Sequence, residues 1–420
     1  MPGPSLRYAE FVVTLRAGTH EPMNTLMSHD GRAQRRRHCA VVLGALGLAA
    51  LSLLAACRTT GGGSPAARKE SPMTPRARTG PRLIVSLGDS ITDGHTYPLL
   101  VQQALREAGK PVPIWIGAGV GGDVASGMLR RLDDDVLSFK PDLVFLMTGI
   151  NDMGGGVPLA DFERDVAAIA GRVTATGTRL TLLTVTTVGP RAVGLGPKLV
   201  EANDALRRVA MRYGCGVGDV YAQMLAAGEQ DLWEEDDCHL NYEGYRLVAR
   251  AVLDVMGYAD VPLPDTFKPP VLPGLVRQWR IKAVADGEPP LDEARVARLT
   301  PDASWVAYNL PETRPQEGWW WEQERQRGFA LSLKEVVGPA KAYRGFAVVS
   351  SPKARQAWLN TGAGLSQVWL NGKRIPLGTA PKGWHAGGYR VPVQLQAGVN
   401  RLVIESGEKF VLTITDSRIW

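Results

Sequence analysis

Between residues 82 and 258, short apolar runs alternate with stretches whose apolar positions recur every three to four residues. The runs Arg82–Leu87, Val112–Ile116, Leu143–Met147, Arg179–Thr186 and Cys215–Val220 read as strands. The segments Pro98–Ala108, Val124–Leu137, Leu159–Thr174, Pro197–Tyr213 and Tyr242–Gly257 read as amphipathic helices. Alternation at this spacing predicts βαβ units, hence an α/β domain over 82–260 with a parallel sheet covered on both faces. Ligands of such sheets sit beyond the carboxyl ends of the strands, so chemistry is sought there. A proline-rich linker or strap follows over 261–275. The pattern then changes. Gly345–Ser350, Arg355–Asn360, Leu365–Leu370, Tyr389–Leu395, Asn400–Glu405 and Phe410–Thr415 are short strand-like runs separated by turn signals such as Asn371-Gly372 and Ala397-Gly398. They predict an antiparallel β-sandwich over 276–420.

The first 81 residues fit neither pattern. Arg32, Arg35, Arg36 and Arg37 precede an uncharged apolar run, Cys39–Ala56, that ends on small residues before Cys57. That order is a secretory signal, and Leu54-Ala55-Ala56-Cys57 looks like a bacterial lipobox whose cysteine is lipidated. A transmembrane anchor is the competing reading, but the run is shorter than the ~20 residues of a span. Nothing before Met27 has signal character, so Met27 is a candidate start within the 1–57 leader. Residues 58–81 form a Gly/Ser/Pro/Arg tether too poor in apolar side chains to pack. The expectation is a membrane-anchored lipoprotein outside the cytoplasm.

Charge sharpens this layout. The chain of 420 residues carries a formal +6, but the net is +7 over 1–80, −8 over 81–270 and +7 over 271–420. An acidic middle between two basic ends does not point to nucleic acid, and opposed charges suit docking of the two folded regions on each other at least as well as capture of a polyanion. The four cysteines form no CxxC pair and no His/Cys cluster, so neither a metal site nor a disulfide scaffold is expected. No cofactor is expected either.

The first strand runs straight into Gly88-Asp89-Ser90. A serine at a sharp strand-to-helix turn presents its hydroxyl at the sheet edge, but it is a weak nucleophile without a base. The candidate base is His239, in Asp236-Asp237-Cys238-His239 before the last helix. A carboxylate three residues ahead can hold its Nδ1–H and leave Nε2 for Ser90. Asp237 competes with Asp236 for that role, and only the offset favours Asp236; Glu234 and Glu235 read as a solvated acidic face. The second strand ends in Gly117-Ala118-Gly119-Val120-Gly121-Gly122-Asp123 and the third in Gly149-Ile150-Asn151-Asp152. The backbone N–H groups of Ser90 and Gly122 and the Asn151 carboxamide then form a candidate oxyanion hole.

In these four blocks residues 82–258 resemble the SGNH/GDSL hydrolases. The resemblance implies a flavodoxin-like sheet, a Ser90–His239–Asp236 triad, oxyanion donors at Ser90, Gly122 and Asn151, and carboxylic ester hydrolysis through an acyl-enzyme. Gly117 departs from the pattern, since many members place asparagine there. Two decoys need separate answers. Gly117–Gly122 satisfies GxGxxG, but it follows the second strand, and the acid about 20 residues on, Asp142, sits at the start of the next strand, away from a dinucleotide ribose. Cys238 beside His239 suggests a thiol nucleophile or a disulfide with Cys215, yet the two lie at opposite strand edges, and a packed free thiol is expected.

Residues 365–415 look like the β-sandwich modules appended to secreted carbohydrate-active enzymes. Trp319-Trp320-Trp321, Trp358, Trp369 and Trp384 either stack on sugar rings or fill the sandwich core. Surface tethering and the sandwich favour O-acetyl groups on polysaccharide as substrate. A lipid acylhydrolase or thioesterase is the alternative, with the loops Asp93–Tyr97 and Val188–Gly196 lining the pocket. The alternative of another class is a wall-polysaccharide-binding lipoprotein whose α/β domain is only scaffold.

Overall fold

A computed structural model describes residues 80–310 and 333–420, apart from 229, 269, 380, 381 and 384. The leader, Cys57, the tether up to residue 79, Trp319–Trp321 and Trp384 lie outside the described residues.

In chain order, the first part runs through β1 (Leu83–Gly88), α1 (Ser90–Asp93), α2 (Thr96–Glu107), β2 (Ile114–Gly119), α3 (Ala125–Arg130), α4 (Leu132–Asp135), β3 (Leu143–Met147), α5 (Ile150–Gly154), α6 (Leu159–Ala175), β4 (Arg179–Leu183), α7 (Gly196–Tyr213), β5 (Gly216–Gly218), α8 (Val220–Ala226) and α9 (Tyr242–Val255). The five strands form one sheet in the order β2-β1-β3-β4-β5, every pair parallel. Alternation along the strands feeds two cores. Val85, Leu87, Val144 and Leu146 join Phe162, Val166 and Ile169 of α6 and Leu199 and Leu206 of α7. On the opposite face Ile84, Leu143 and Phe145 meet Leu100 and Leu105 of α2 and Tyr245, Val248 and Val252 of α9. The sheet is therefore doubly wound, with β1 and β3 buried at its centre and their carboxyl ends open at one edge.

The single helix expected over Val124–Leu137 is broken. It splits into α3, α4 and a 3₁₀ turn at Leu137–Phe139, with the interruption at Arg131. The Arg131 guanidinium is turned back onto the carbonyls of Ala118 (2.6 Å) and Gly88 (2.9 Å) at the strand ends. Residues 261–275 act as a strap. Phe267 is wholly buried in the core against α9, and Gln103 of α2 brackets the strap by donating to the Thr266 carbonyl and accepting from the Lys268 N–H.

Beyond the strap lie β6 (Gln278–Ala283), α10 (Glu293–Arg298), β7 (Val306–Asn309), α11 (Leu333–Val337), β8 (Tyr343–Ser351), β9 (Arg355–Thr361), β10 (Leu365–Leu370), β11 (Lys373–Arg374), β12 (Tyr389–Leu395), β13 (Gly398–Ser406) and β14 (Leu412–Thr415). They make a six-stranded sheet, β11-β10-β13-β8-β6-β7, and a three-stranded sheet, β12-β9-β14, all antiparallel. Ile281, Val368, Leu402 and Ile404 of the first and Leu359, Val393 and Leu412 of the second share one core. The Asn371-Gly372 turn joins β10 to β11 with both residues at positive φ (52° and 82°), the conformation a two-residue hairpin needs. The Gly398 turn instead passes the chain from one sheet to the other. Strands β6 and β7 are not among the predicted runs. In β6 the buried Trp279 and Ile281 alternate with exposed Gln278 and Arg280, so it has no continuous apolar run, and β7 is a largely exposed edge strand. Trp369 is 1% exposed and packs with Leu291, Val296 and Val403, so it fills core, whereas Trp358 is half-buried.

Candidate active site

Ser90 opens α1 directly after β1, and Asp89 caps that helix by accepting the Ile91 N–H. The turn has no space for a side chain on its approach: a Cβ at Gly88 would lie 2.2 Å from Thr92 Oγ1. His239 comes from the far end of the sequence. An antiparallel bridge between Trp233 and Leu240 and the bond from Glu234 N–H to the His239 carbonyl close a small loop, and Asn241 then caps α9. The loop delivers His239 Nε2 to 2.8 Å from Ser90 Oγ. Its Nδ1 lies 2.5 Å from Asp236 Oδ2, while Asp236 Oδ1 accepts the N–H groups of Cys238 (3.0 Å) and His239 (2.8 Å). Asp236, not Asp237, therefore faces the histidine. Asp237, at φ 58°, turns away and accepts from the Arg191 N–H (2.6 Å) and its guanidinium, pinning the 188–195 loop.

The oxyanion candidates converge on the same edge. Gly122 stands at φ 75° with nothing within 4 Å of where a Cβ would be, so backbone conformation rather than space calls for glycine. Asn151 Nδ2 donates to the Asp123 carbonyl at 3.0 Å. A carboxamide nitrogen has two hydrogens, which leaves the second for a ligand. The neighbouring Asp152 accepts the Ala125 N–H at 3.1 Å, so the third block is fastened to the loop after β2 at two points.

Residues 86–247 match the model of the GDSL-like Lipase/Acylhydrolase family. The α/β domain is a GDSL-type ester hydrolase. Over 156 residues it is 28% identical to "Esterase TesA" of Pseudomonas aeruginosa, an alignment covering 34% of this chain and 77% of that protein. Among solved structures it is similar to the α/β hydrolase LAE5 from the metagenome of Lake Arreo, Spain, at 24% identity, covering 42% of this chain and 96% of that one with a TM-score of 0.40. It is also similar to the acetyl xylan esterase AlAXEase, at 26% identity over 41% of this chain and 98% of that one, with a TM-score of 0.39.

Electrostatics of the GDSL domain separate its carboxylates. Burial pushes Asp236 up, but the His239 ring and the two backbone N–H groups outweigh it and hold the carboxyl below the ordinary carboxylate range. Asp89 goes the other way: wholly buried, its pKa is raised to about 7 despite the Ile91 N–H and the nearby His239 ring. Its Oδ2 has no hydrogen-bond partner among the described residues. Burial, with Asp236 and Asp89 nearby, pushes the Cys238 thiol up to about 12, which leaves no thiolate nucleophile at neutral pH. Cys215 and Cys238 are both free. The GxGxxG decoy is answered by Asp142. It accepts the N–H groups of Arg82 and Leu83 at the amino edge of the sheet, away from any ligand at the other edge.

Two groups at the site escaped the sequence reading. Arg131 holds both strand ends and also Asp123 (2.7 Å), so one nearly buried cation ties the nucleophile turn to the loop of Gly122. Its only sequence signal is a basic residue inside an otherwise amphipathic helix. The second group is Asp93, whose Oδ2 accepts the Gly121 N–H at 3.1 Å and whose Oδ1 lies 3.1 Å from Nδ1 of His385, a residue of the C-terminal region. The departure at Gly117 belongs to the same place. A Cβ there would lie 2.8 Å from His95 Nδ1 and 3.2 Å from His385 Cδ2, so any larger residue would expel the two rings.

Proposed function

We propose that the GDSL domain hydrolyses O-acetyl esters of carbohydrate through a Ser90–His239–Asp236 triad. The observation that carries the chemistry is the pair of contacts at His239, 2.8 Å to Ser90 Oγ and 2.5 Å to Asp236. In this reading His239 Nε2 takes the Ser90 proton as Oγ attacks the ester carbonyl, and ionised Asp236 stabilises the imidazolium. The tetrahedral oxyanion accepts from the N–H groups of Ser90 and Gly122 and from Asn151. Collapse expels the alcohol, which receives the proton from His239. Water, deprotonated by the same nitrogen, then releases acetate from Ser90.

The wall beside Ser90 supports a small neutral acyl group: Gly121, Gly122 and Asn151 offer little apolar surface. The acidic run Glu234–Asp237 borders His239 and disfavours phosphate or carboxylate head groups. Burial and the neighbouring Asp236 and Asp231 raise the Glu234 pKa, a sign of the local negative field. A lipid anchor at Cys57, read from residues 32–57 alone, places the enzyme where wall or environmental polysaccharide is met. One observation favours the long-chain alternative: Val193, on the loop pinned to Asp237, is 68% exposed and offers an apolar lip. Initial rates on acetylated xylan, p-nitrophenyl acetate and p-nitrophenyl octanoate decide between them, with Ser90→Ala as reference. Acetate release from xylan that falls by at least ~10³-fold in Ser90→Ala is the expected result. Octanoate turnover without release from xylan moves the substrate to lipid or thioester. Equal rates in wild type and Ser90→Ala remove the catalytic reading and leave the polysaccharide-binding one.

A further inference from the structure

Among the described residues, Lys382, Gly383 and His385 of the C-terminal region touch the catalytic edge. At Gly383 the approach is so close that a Cβ would lie 2.2 Å from both Asp93 Oδ1 and the Gly119 carbonyl. Its carbonyl accepts the Ala363 N–H at 2.8 Å, which ties the segment to the body of its own sheets. Lys382 is paired with Asp135, itself bound to Arg131, and both side chains are nearly buried. His385 is 3% exposed and stacks on His95 with ring centroids 6.4 Å apart. A carboxylate can only accept, so Nδ1 of His385 carries the proton toward Asp93 Oδ1. The other oxygen of Asp93 takes the Gly121 N–H. Two hydrogen bonds therefore connect a side chain 292 residues away from Asp93 to the Val120–Gly121 peptide, next to the peptide that carries the Gly122 N–H.

We propose that His385 is a positioning residue for ester hydrolysis, acting through Asp93 to aim the Gly122 N–H, so that the oxyanion hole is completed by the C-terminal region. The inference rests on the reading of Ser90 and Gly122 given above. Gly121 and Gly122 are exposed and nothing lies within 4 Å of where a Gly122 Cβ would be, so the Asp93 bond and the Asp123 clamp hold the loop from beneath. A donor to an oxyanion acts only when it is aimed before the charge develops. Removing the hydrogen on His385 takes away one of the bonds that fix the Asp93 carboxylate and so loosens its hold on the Gly121 N–H. The effect falls on the transition state, where the oxyanion exists, and not on ground-state binding.

The test compares His385→Leu with His385→Asn in the full chain, with thermal unfolding as control for folding at the assay temperature. Asparagine places an N–H donor near the position of the imidazole Nδ1, whereas leucine does not. The expected result for leucine is a kcat about tenfold lower with KM within about twofold, smaller than the ~10²–10³ cost of deleting an oxyanion donor. Affinity for a methylboronic acid, whose tetrahedral adduct on Ser90 mimics the intermediate, should fall in the same proportion. Asparagine should restore both. A folded leucine variant with wild-type kcat overturns the proposal, as does an asparagine variant as impaired as leucine, because the ring would then matter only as packing. If the leucine variant does not fold, Gly383→Ala decides: its methyl displaces the segment from Asp93, and an unchanged kcat overturns the proposal. Loss of the Ser90→Ala effect would instead overturn the triad, so the two failures are distinguishable.

Discussion

Two aspartate–histidine pairs stand at the same sheet edge and present their second ring nitrogens to different surroundings. In the loop before α9, Asp236 and His239 are three residues apart, partly exposed, and the second ring nitrogen reaches a serine. In the seam between the two sheet systems, Asp93 and His385 are almost wholly buried, and among the described residues no serine hydroxyl is bonded to the ring. The chemistry of the two pairs is identical; what differs is what the second nitrogen meets. A histidine becomes a base when Nε2 faces a hydroxyl with room for substrate. It becomes a brace when packing closes that nitrogen off. The difference argues that function here is assigned by the third partner, not by the pair.

Removing the charge from the first pair is the sharpest way to break the comparison. Asp236→Asn should lower kcat by about 10³–10⁴-fold, because the amide stabilises the wrong tautomer of His239 and no longer offsets the imidazolium. Stopped-time acetate assays beside a circular dichroism spectrum would check it. A loss no larger than that of His385→Leu would erase the distinction between base and brace. Asn151→Ala ranks next, at about 10²–10³-fold in kcat if it is an oxyanion donor. Asn151 also fastens the Asp123 carbonyl, so Asn151→Asp is the informative companion: it keeps the size, loses the donor and adds a negative charge next to the oxyanion. An alanine variant that raises KM and spares kcat would demote Asn151 to a loop fastener.

The contrast between the pairs also explains what was legible in the sequence. Asp236 and His239 are local, and the serine turn and both oxyanion loops each follow directly from a strand, so strand alternation and short motifs were enough to bring them to one edge. The βαβ alternation likewise gave the parallel sheet, because fully buried strands such as Leu143–Met147 are continuous apolar runs. What was not legible depends on residues far apart or on half-buried patterns. Asp93 and His385 have no spacing signal at a separation of 292. Arg131 falls inside the predicted Val124–Leu137 helix, and only the break in that helix turns it inward. Strand β6 was hidden because Gln278, Arg280 and Lys282 alternate with its buried residues and leave no continuous apolar run. Gly117, a departure from the family pattern in the sequence, has a steric reason only once His95 and His385 are seen against it.

Between the two pairs lies a third carboxylate, Asp89, and it supplies the smallest effect. It is buried, its Oδ2 has no partner among the described residues, and burial raises its pKa to about 7. A raised acid binds its proton more tightly in the folded protein than in the unfolded chain, where its value is near 3.8. Between pH 4 and 7 the folded state therefore holds more protons, and stability falls as pH rises through that window. Asp89→Asn removes the titration while keeping an oxygen for the Ile91 N–H. Its melting temperature relative to wild type should thus increase from pH 5 to pH 8, with an upper bound of roughly 4 kcal/mol over the full shift. The amide brings a donor to the unpartnered Oδ2 position, as the protonated acid does, so the penalty for burying it is common to both and leaves the pH trend intact. A difference in melting temperature that does not change with pH would mean that Asp89 is ionised in the folded protein throughout. The edge would then carry three negative carboxylates around one histidine base, and the brace at Asp93 would have to hold the oxyanion loop against that repulsion as well.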